Sequence, residues 1–357
     1  MKISLKRPAG IGPALLAALL FGASTPLAKM LVADISPILL AGLLYGGSGV
    51  GLGAWLLLRR LRAAREAGAE AGLQRRDLPW LGGAVLFGGV LGPVLLMFGL
   101  SSTPASTASL LLNLESVLTA LVAWLVFKEN VDRRIFLGMM AIVAGGVILS
   151  WTQAPTIGLP WGSIAIAGAC ACWAIDNNLT RVVSGGDPMQ IAAIKGGVAG
   201  AINIAVALMI GQKLPGTMHL VSAGVIGLVG YGISLVAFVL ALRHLGSART
   251  GAYFSTAPFV GAALSLLLLR EAPALTFWIS GGLMALGVWL HVSEHHEHEH
   301  AHVPMEHEHL HEHEEHHEHA HDVDWDGSAP HSHPHRHEPL THSHPHYPDL
   351  HHRHGHG

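Results

Sequence analysis

The sequence predicts an all-α membrane protein: ten transmembrane helices arranged as two inverted five-helix repeats, followed by a disordered C-terminal tail. Three observations carry this. Apolar stretches of about 20 residues, the length a helix needs to cross a bilayer, recur from residue 11 to residue 292. Features of the first half return in the second. At His291 the composition changes: 25 of the 27 histidines fall in the last 67 residues, interleaved with acids as in Glu294-His295-His296-Glu297-His298-Glu299-His300.

Charge divides at the same point. Residues 1–290 hold 19 Lys and Arg against 10 Asp and Glu, a formal +9, while residues 291–357 hold 2 Arg against 14 acids, a formal −12. A body and a tail that differ this much belong in different solvents. The tail has almost no aliphatic residues and cannot bury a core, so it is expected to be disordered without a ligand. Cys170 and Cys172 stand two apart in an apolar run and would face different directions on a helix. They read as small core residues, with no disulfide or zinc framework. The apolar run after Lys6-Arg7 ends without a small-x-small site, so it reads as a first span and not as a cleavable signal peptide.

In order, residues 1–10 form a cytoplasmic N-terminus. The first repeat, 11–151, holds spans at 11–32, 38–58, 79–100, 105–127 and 135–151. The second, 152–292, holds spans at 160–181, 189–211, 219–242, 249–269 and 274–292. Residues 293–357 are the tail. The spans are rich in Gly, Ala and Ser, which suits close helix packing in lipid. The long connection 59–78 carries Arg59, Arg60, Arg62, Arg65, Arg75 and Arg76. With the N-terminus inside, 15 Lys and Arg lie on the cytoplasmic side, including Lys128, Arg133, Arg134, Arg181, Arg243 and Arg249; the outer loops hold only Lys213 and Arg270. The positive-inside rule therefore sets both termini in the cytoplasm of an integral protein of the bacterial inner (cell) membrane.

The halves match at several points. Lys128-Glu129 closes the fourth span and Arg270-Glu271 the ninth, and a glycine follows each Glu by 16 residues (Gly145, Gly287). Phe21-Gly22 and Trp173-Ala174 are each followed, eight residues after the aromatic, by a basic residue (Lys29, Arg181). Ser36-Pro37 and Asp187-Pro188 open the second and seventh spans. Five is odd, so the second repeat enters the membrane upside down, the architecture of secondary transporters.

The stretch through Ser102, Ala105-Ser106, Leu110, Ala120-Leu121, Lys128-Glu129, Gly138 and Gly145-Gly146 resembles the fourth and fifth helices of EamA-type members of the drug/metabolite transporter superfamily. Ala248, Pro258, Arg270-Glu271 and Gly287 resemble the same helices in a second copy. The resemblance covers about residues 10–292 and implies ten helices and alternating access. It fixes no substrate, because the superfamily moves amino acids, sugars, nucleotide sugars and drugs. The chain departs from the pattern in two places. The proline usual in the fourth helix is Pro258 in the second copy, but Ser116, preceded by Glu115, in the first. The basic residue usual in the second helix is Lys195 in the second copy, where the first has Leu44 and Tyr45.

Ionisable groups at membrane depth are costly and call for a partner or a function. Four stand out: Lys29, Glu115, Asp176 and Lys195. Asp176 is five residues from Arg181, roughly 7–8 Å from the inner surface, and Lys195 is seven past Pro188, roughly 10 Å from it. The two are expected to pair, leaving Glu115 free to take a proton or a cation. The candidate substrate or coupling residues are Glu115, Asp176, Asn177, Asn178, Lys195 and Asn113. The rival reading is a static ion pair beside a neutral Glu. Lys29 reads as a residue snorkelling to the outer interface. Tyr45, Trp124 and Trp173 read as packing or interface anchors.

In the tail, alternating imidazole and carboxylate suits Zn²⁺, Ni²⁺, Co²⁺ or Cu²⁺. Candidate ligands are His295, His296, His298, His300, His307, His309, His311, His313, His316, His317, His319 and His321. Asp322-Val323-Asp324-Trp325-Asp326-Gly327 resembles a calcium loop, but Ser332 or His333 falls where the closing Glu belongs. The rival is a pH role, since imidazole titrates near 6.5.

The expected function is a secondary active transporter of a small solute, its tail binding transition metal as accessory or regulator and no cofactor required. The alternatives are a Ni²⁺, Co²⁺ or Zn²⁺ exporter fed by the tail, or a membrane-anchored metal buffer. The expected partners are the lipid bilayer, a small-molecule or ion substrate and transition metal ions, with a homodimer left open and no nucleic acid. An enzyme is disfavoured: the chain has no nucleotide loop, nucleophile elbow or H-E-x-x-H motif.

Overall fold

The computed structural model describes residues 10–62, 73–127, 133–152, 160–293, 297–301, 305–311, 331–337 and 341–345. Lys128, Glu129, Arg65 and the Asp322–Gly327 stretch lie outside the described residues. So do the candidate ligands His295, His296, His313, His316, His317, His319 and His321.

The body is all-helical. The first half contains α1 (Ile11–Leu31), α2 (Pro37–Arg62), α3 (Leu78–Ala84), α4 (Gly92–Ser102), α5 (Ala105–Leu111), α6 (Leu114–Phe127) and α7 (Arg133–Thr152). The second contains α8 (Trp161–Val183), α9 (Pro188–Met209), α10 (Thr217–Ile226), α11 (Ser234–Phe254), α12 (Ala257–Leu268) and α13 (Leu275–Val292). Among the described residues, nine helical segments are long and apolar enough to cross a membrane. The sixth expected span is α8, 23 residues long and packed against α4 and α6. Asp176, Asn177, Asn178 and Arg181 make it more polar than those nine.

Both halves depart from regular helix at matching places. A π-helical turn at Val85–Leu91 joins α3 to α4, and another at Gly227–Ile233 joins α10 to α11, 142 positions on (from 85 to 227). The fourth helix of each half is broken, at Leu112–Asn113 between α5 and α6 and at Ser255–Thr256 between α11 and α12. Pro258 accounts for the second break, because it has no N–H to donate. The first has no proline and is held by side chains: Asn113 Nδ2 donates to Leu110 O (3.1 Å) and Ser116 Oγ to Asn113 O (2.8 Å).

Small residues let the helices approach. Where α2 crosses α9, a Cβ on Gly49 would overlap the backbone of Gly197, and one on Gly200 that of Gly46. Gly287 of α13 faces the Gly138 carbonyl of α7 in the same way. In lipid, where apolar burial between helices gains little, such backbone contact supplies the packing. His291, the last turn of α13, lies 3.0 Å from the Ile135 carbonyl of α7 and so anchors the end of the body.

The described tail segments pair as two antiparallel ladders: β1 (Glu297–Ala301) with β4 (Thr341–Pro345), and β2 (Met305–His311) with β3 (His331–His337). The composition leads to a tail without structure; the His/Glu alternation has the two-residue period of a strand, and these segments follow it. A two-stranded ribbon alone is marginal in water.

Candidate functional site

A cavity lies at the centre of the bundle, lined from both halves. The first half contributes Phe21 from α1, Tyr45 from α2 and Glu115 from α6. The second contributes Trp173, Asp176 and Asn177 from α8, Lys195 from α9, Tyr231 from the π turn, and Ser234, Leu235, Phe238 and Phe254 from α11.

Two polar groupings meet there. Lys195 Nζ donates to Asp176 Oδ1 at 2.5 Å, the pairing the depths predict, and to Thr180 Oγ1 at 3.0 Å. Thr180 Oγ1 in turn donates to Asp176 Oδ1 at 2.8 Å, closing a small ring. Lys195 is 1% exposed and Asp176 5%, so the charges compensate each other away from water. Separately, Glu115 Oε1 accepts from Asn177 Nδ2 at 2.8 Å. Glu115 stands in the first turn of α6, just past the helix break, and no cation pairs with it among the described residues.

The first π turn shapes one wall. A π turn leaves carbonyls without helical partners, and such turns gather at functional sites. Gly88 O accepts from Tyr45 Oη (2.7 Å) and Trp173 Nε1 (3.0 Å), and Gly89 O from Asn203 Nδ2 (3.0 Å). A Cβ on Gly88 would overlap the Asp176 carboxylate, so only glycine lets this turn reach the ion pair.

Of the six residues singled out from sequence, Glu115, Asp176, Asn177 and Lys195 meet at the cavity. The other two are buried and turned to backbone. Asn113 holds the α5–α6 break, and Asn178 Nδ2 donates to Ala174 O one turn back (2.9 Å). Tyr45 and Trp173, expected to be packing or interface anchors, are buried in the core and also line the cavity, while Trp124 is 42% exposed on the outer surface of the bundle. Lys29, half-buried in the last turn of α1, donates to the carbonyls of Leu100 (2.5 Å) and Thr103 (2.9 Å) at the end of α4. Those carbonyls, left free where a helix stops, give the ammonium its partners at that end of the span. Sequence reasoning missed Phe21, Tyr231 and Phe254 as cavity walls. The equal spacing of Phe21 to Lys29 and Trp173 to Arg181 marks Phe21 as a repeat position, but nothing local marks Tyr231 or Phe254.

A helical body packed around a central cavity lined from both halves, with buried charges among aromatic walls, defines an integral membrane protein built to admit a small solute. The chain belongs to the EamA-like transporter family, whose model matches it twice, over residues 8–151 and 160–293. It is similar to an uncharacterized transporter of Methanothermobacter thermautotrophicus, 30% identical over 233 residues, 63% of this chain and 68% of that protein. It is also similar to the uncharacterized transporter YyaM of Bacillus subtilis, 26% identical over 215 residues, 56% and 68% of the two chains. One crystal structure shares the fold, with a TM-score of 0.60 at 18% identity, over 80% of this chain and 96% of that one. The chain is thus a membrane transporter of small solutes.

Proposed function

We propose that this protein is a secondary active transporter that works by alternating access. In this reading its ten spans form two inverted five-helix repeats, both termini face the cytoplasm, and Glu115 couples movement to a proton or a cation. One observation carries the reading: Glu115 is 8% exposed, faces a cavity lined from both halves, and has no cationic partner among the described residues. Asp176 is already neutralised by Lys195. A bare carboxylate in a site of low dielectric is costly, so it takes up a proton or a cationic ligand. Loaded states are then neutral and free to interconvert, while the empty charged state is held back, and that difference is coupling. Matching π turns and helix breaks support two halves that can exchange conformations.

The test is transport in membrane vesicles by Glu115→Gln. Transport is abolished while the protein remains in the membrane. Normal transport by this variant would remove Glu115 from the mechanism.

The tail, in the same proposal, binds Zn²⁺, Ni²⁺, Co²⁺ or Cu²⁺ as an accessory or regulator of the body. Direct metal export fed by the tail is the second reading, favoured by the tail's imidazole content. Against it, among the described residues Glu115 and Asp176 are the carboxylates that line the cavity, no His or Cys lines it, and a lysine occupies one of the carboxylates. Among the described residues no group of three His, Cys, Asp or Glu is placed to hold a metal ion.

A further inference from the structure

Hydrogen bonding around the cavity is lopsided. Most of the donors are spent within the protein. Lys195 donates to Asp176 and Thr180. Trp173 Nε1 and Tyr45 Oη both donate to the Gly88 carbonyl. Ser234 Oγ donates to Ala17 O (2.9 Å), and the Asn177 amide to Glu115 and Thr119. What stays open is one carboxylate oxygen and one hydroxyl. Glu115 Oε2 makes no hydrogen bond among the described residues, and the buried Tyr231 hydroxyl also has no partner among them.

The walls around this carboxylate are aromatic. Phe21 packs edge-on to Trp173 and Tyr231, with centroids 5.6 Å away in each case, and lies 5.4 Å from Phe254. Tyr45 lies 5.3 Å from Tyr231. Aromatic faces carry negative electrostatic potential and attract cations, most strongly where water is excluded. An anionic ligand would be repelled by the Glu115 carboxylate, with most of the surrounding donors already engaged. A neutral ligand would leave the carboxylate to be compensated by a proton alone.

We infer that the cavity takes an organic ammonium carrying an aromatic or similarly bulky apolar group, its charge on Glu115 and its apolar part among Phe21, Trp173, Tyr231 and Phe254. This inference rests on the proposal that the cavity is the transport site.

The experiment uses the purified full-length chain in detergent and three probes sharing a phenyl ring and a short chain: phenethylammonium, phenethyl alcohol and phenylacetate. Calorimetry is expected to show the ammonium binding about tenfold more tightly than the alcohol or the carboxylate. Glu115→Gln removes that preference and leaves the alcohol's affinity unchanged. Phe254→Leu, which keeps the bulk and removes a ring face, weakens the ammonium severalfold and provides a second test should Glu115→Gln not fold. Equal or tighter binding of the carboxylate or the alcohol overturns the inference, and so does binding of none of the three. Counterflow in proteoliposomes separates the two claims. Binding of the ammonium without counterflow upholds the site and defeats the transporter reading. Counterflow of phenylacetate in its place upholds the transporter and defeats the cation site.

Discussion

Lys195 and Asp176 lie on consecutive helices of the second half with Nζ and Oδ1 2.5 Å apart, nearly sealed from solvent, and Thr180 bonded to both. The pair keeps one acid of the cavity permanently compensated and so leaves Glu115 as the group whose charge can change. Removing one partner strands the other. Lys195→Met is expected to destabilise the protein by about 3–5 kcal/mol. The double substitution Asp176→Asn with Lys195→Met is expected to recover most of that loss. Unfolding in detergent measures both; a single variant as stable as the parent would show that the pair does not hold the fold.

Gly88 should tolerate no side chain. A Cβ there overlaps Asp176 and shifts the carbonyl that holds Tyr45 and Trp173. Gly88→Ala is expected to cost about 1–3 kcal/mol through overpacking, and to reduce transport by more than that stability loss explains. Gly82→Ala is the control on the same span, since its Cβ meets nothing within 4 Å. Equal behaviour of the two variants would contradict the role given to the π turn.

Glu271 joins the halves. Its carboxylate accepts from the backbone N–H groups of Ala105 (2.8 Å) and Ser106 (3.0 Å), capping the start of α5 across more than 160 residues of sequence. Arg270 beside it holds a positive φ of 52°, a conformation uncommon for a residue with a side chain. Glu271→Ala frees two donors that had charged partners and is expected to cost about 2–3 kcal/mol. In a cysteine-free background, a cysteine at Ser106 should then react faster with a water-soluble thiol reagent. Unchanged reactivity would show that this contact does not close that end of the bundle.

Metal binding should belong to the tail. Deleting residues 294–357 is expected to abolish uptake of Ni²⁺ and Zn²⁺ by the purified protein and to leave transport by the body intact. Imidazole binds metal only when neutral, so affinity in the full chain should fall as the pH drops through about 6.5. Elemental analysis of both forms at pH 7.5 and pH 5.5 decides it; metal retained by the truncated body would point to a site among its own helices.

Much of the site's charge could be read from sequence because it depends on depth, and depth along a helix is a matter of counting residues. Counting put Asp176 and Lys195 at one level, and the geometry joins them. Rotation is different. Spans that are apolar on every side give no stripe to show which face turns inward. Asn113, Asn177 and Asn178 therefore look alike in sequence, yet only Asn177 reaches the cavity. Counting also put Lys29 near the end of its span, but not its partners, the free carbonyls at the end of α4.

By itself the sequence determined the apolar spans, the doubled pattern, the buried ionisable residues and the change of composition at His291. These are properties of length, order and residue type. Tertiary structure decided which helices meet at the centre. It brought Phe21, Tyr231 and Phe254 around Glu115, set the Gly88 carbonyl between Tyr45 and Trp173, and laid Glu271 on the start of α5. Such contacts depend on the relative rotation and crossing of helices distant in the chain. Those are settled by backbone packing at small residues and by buried polar groups finding partners, neither of which a linear pattern specifies.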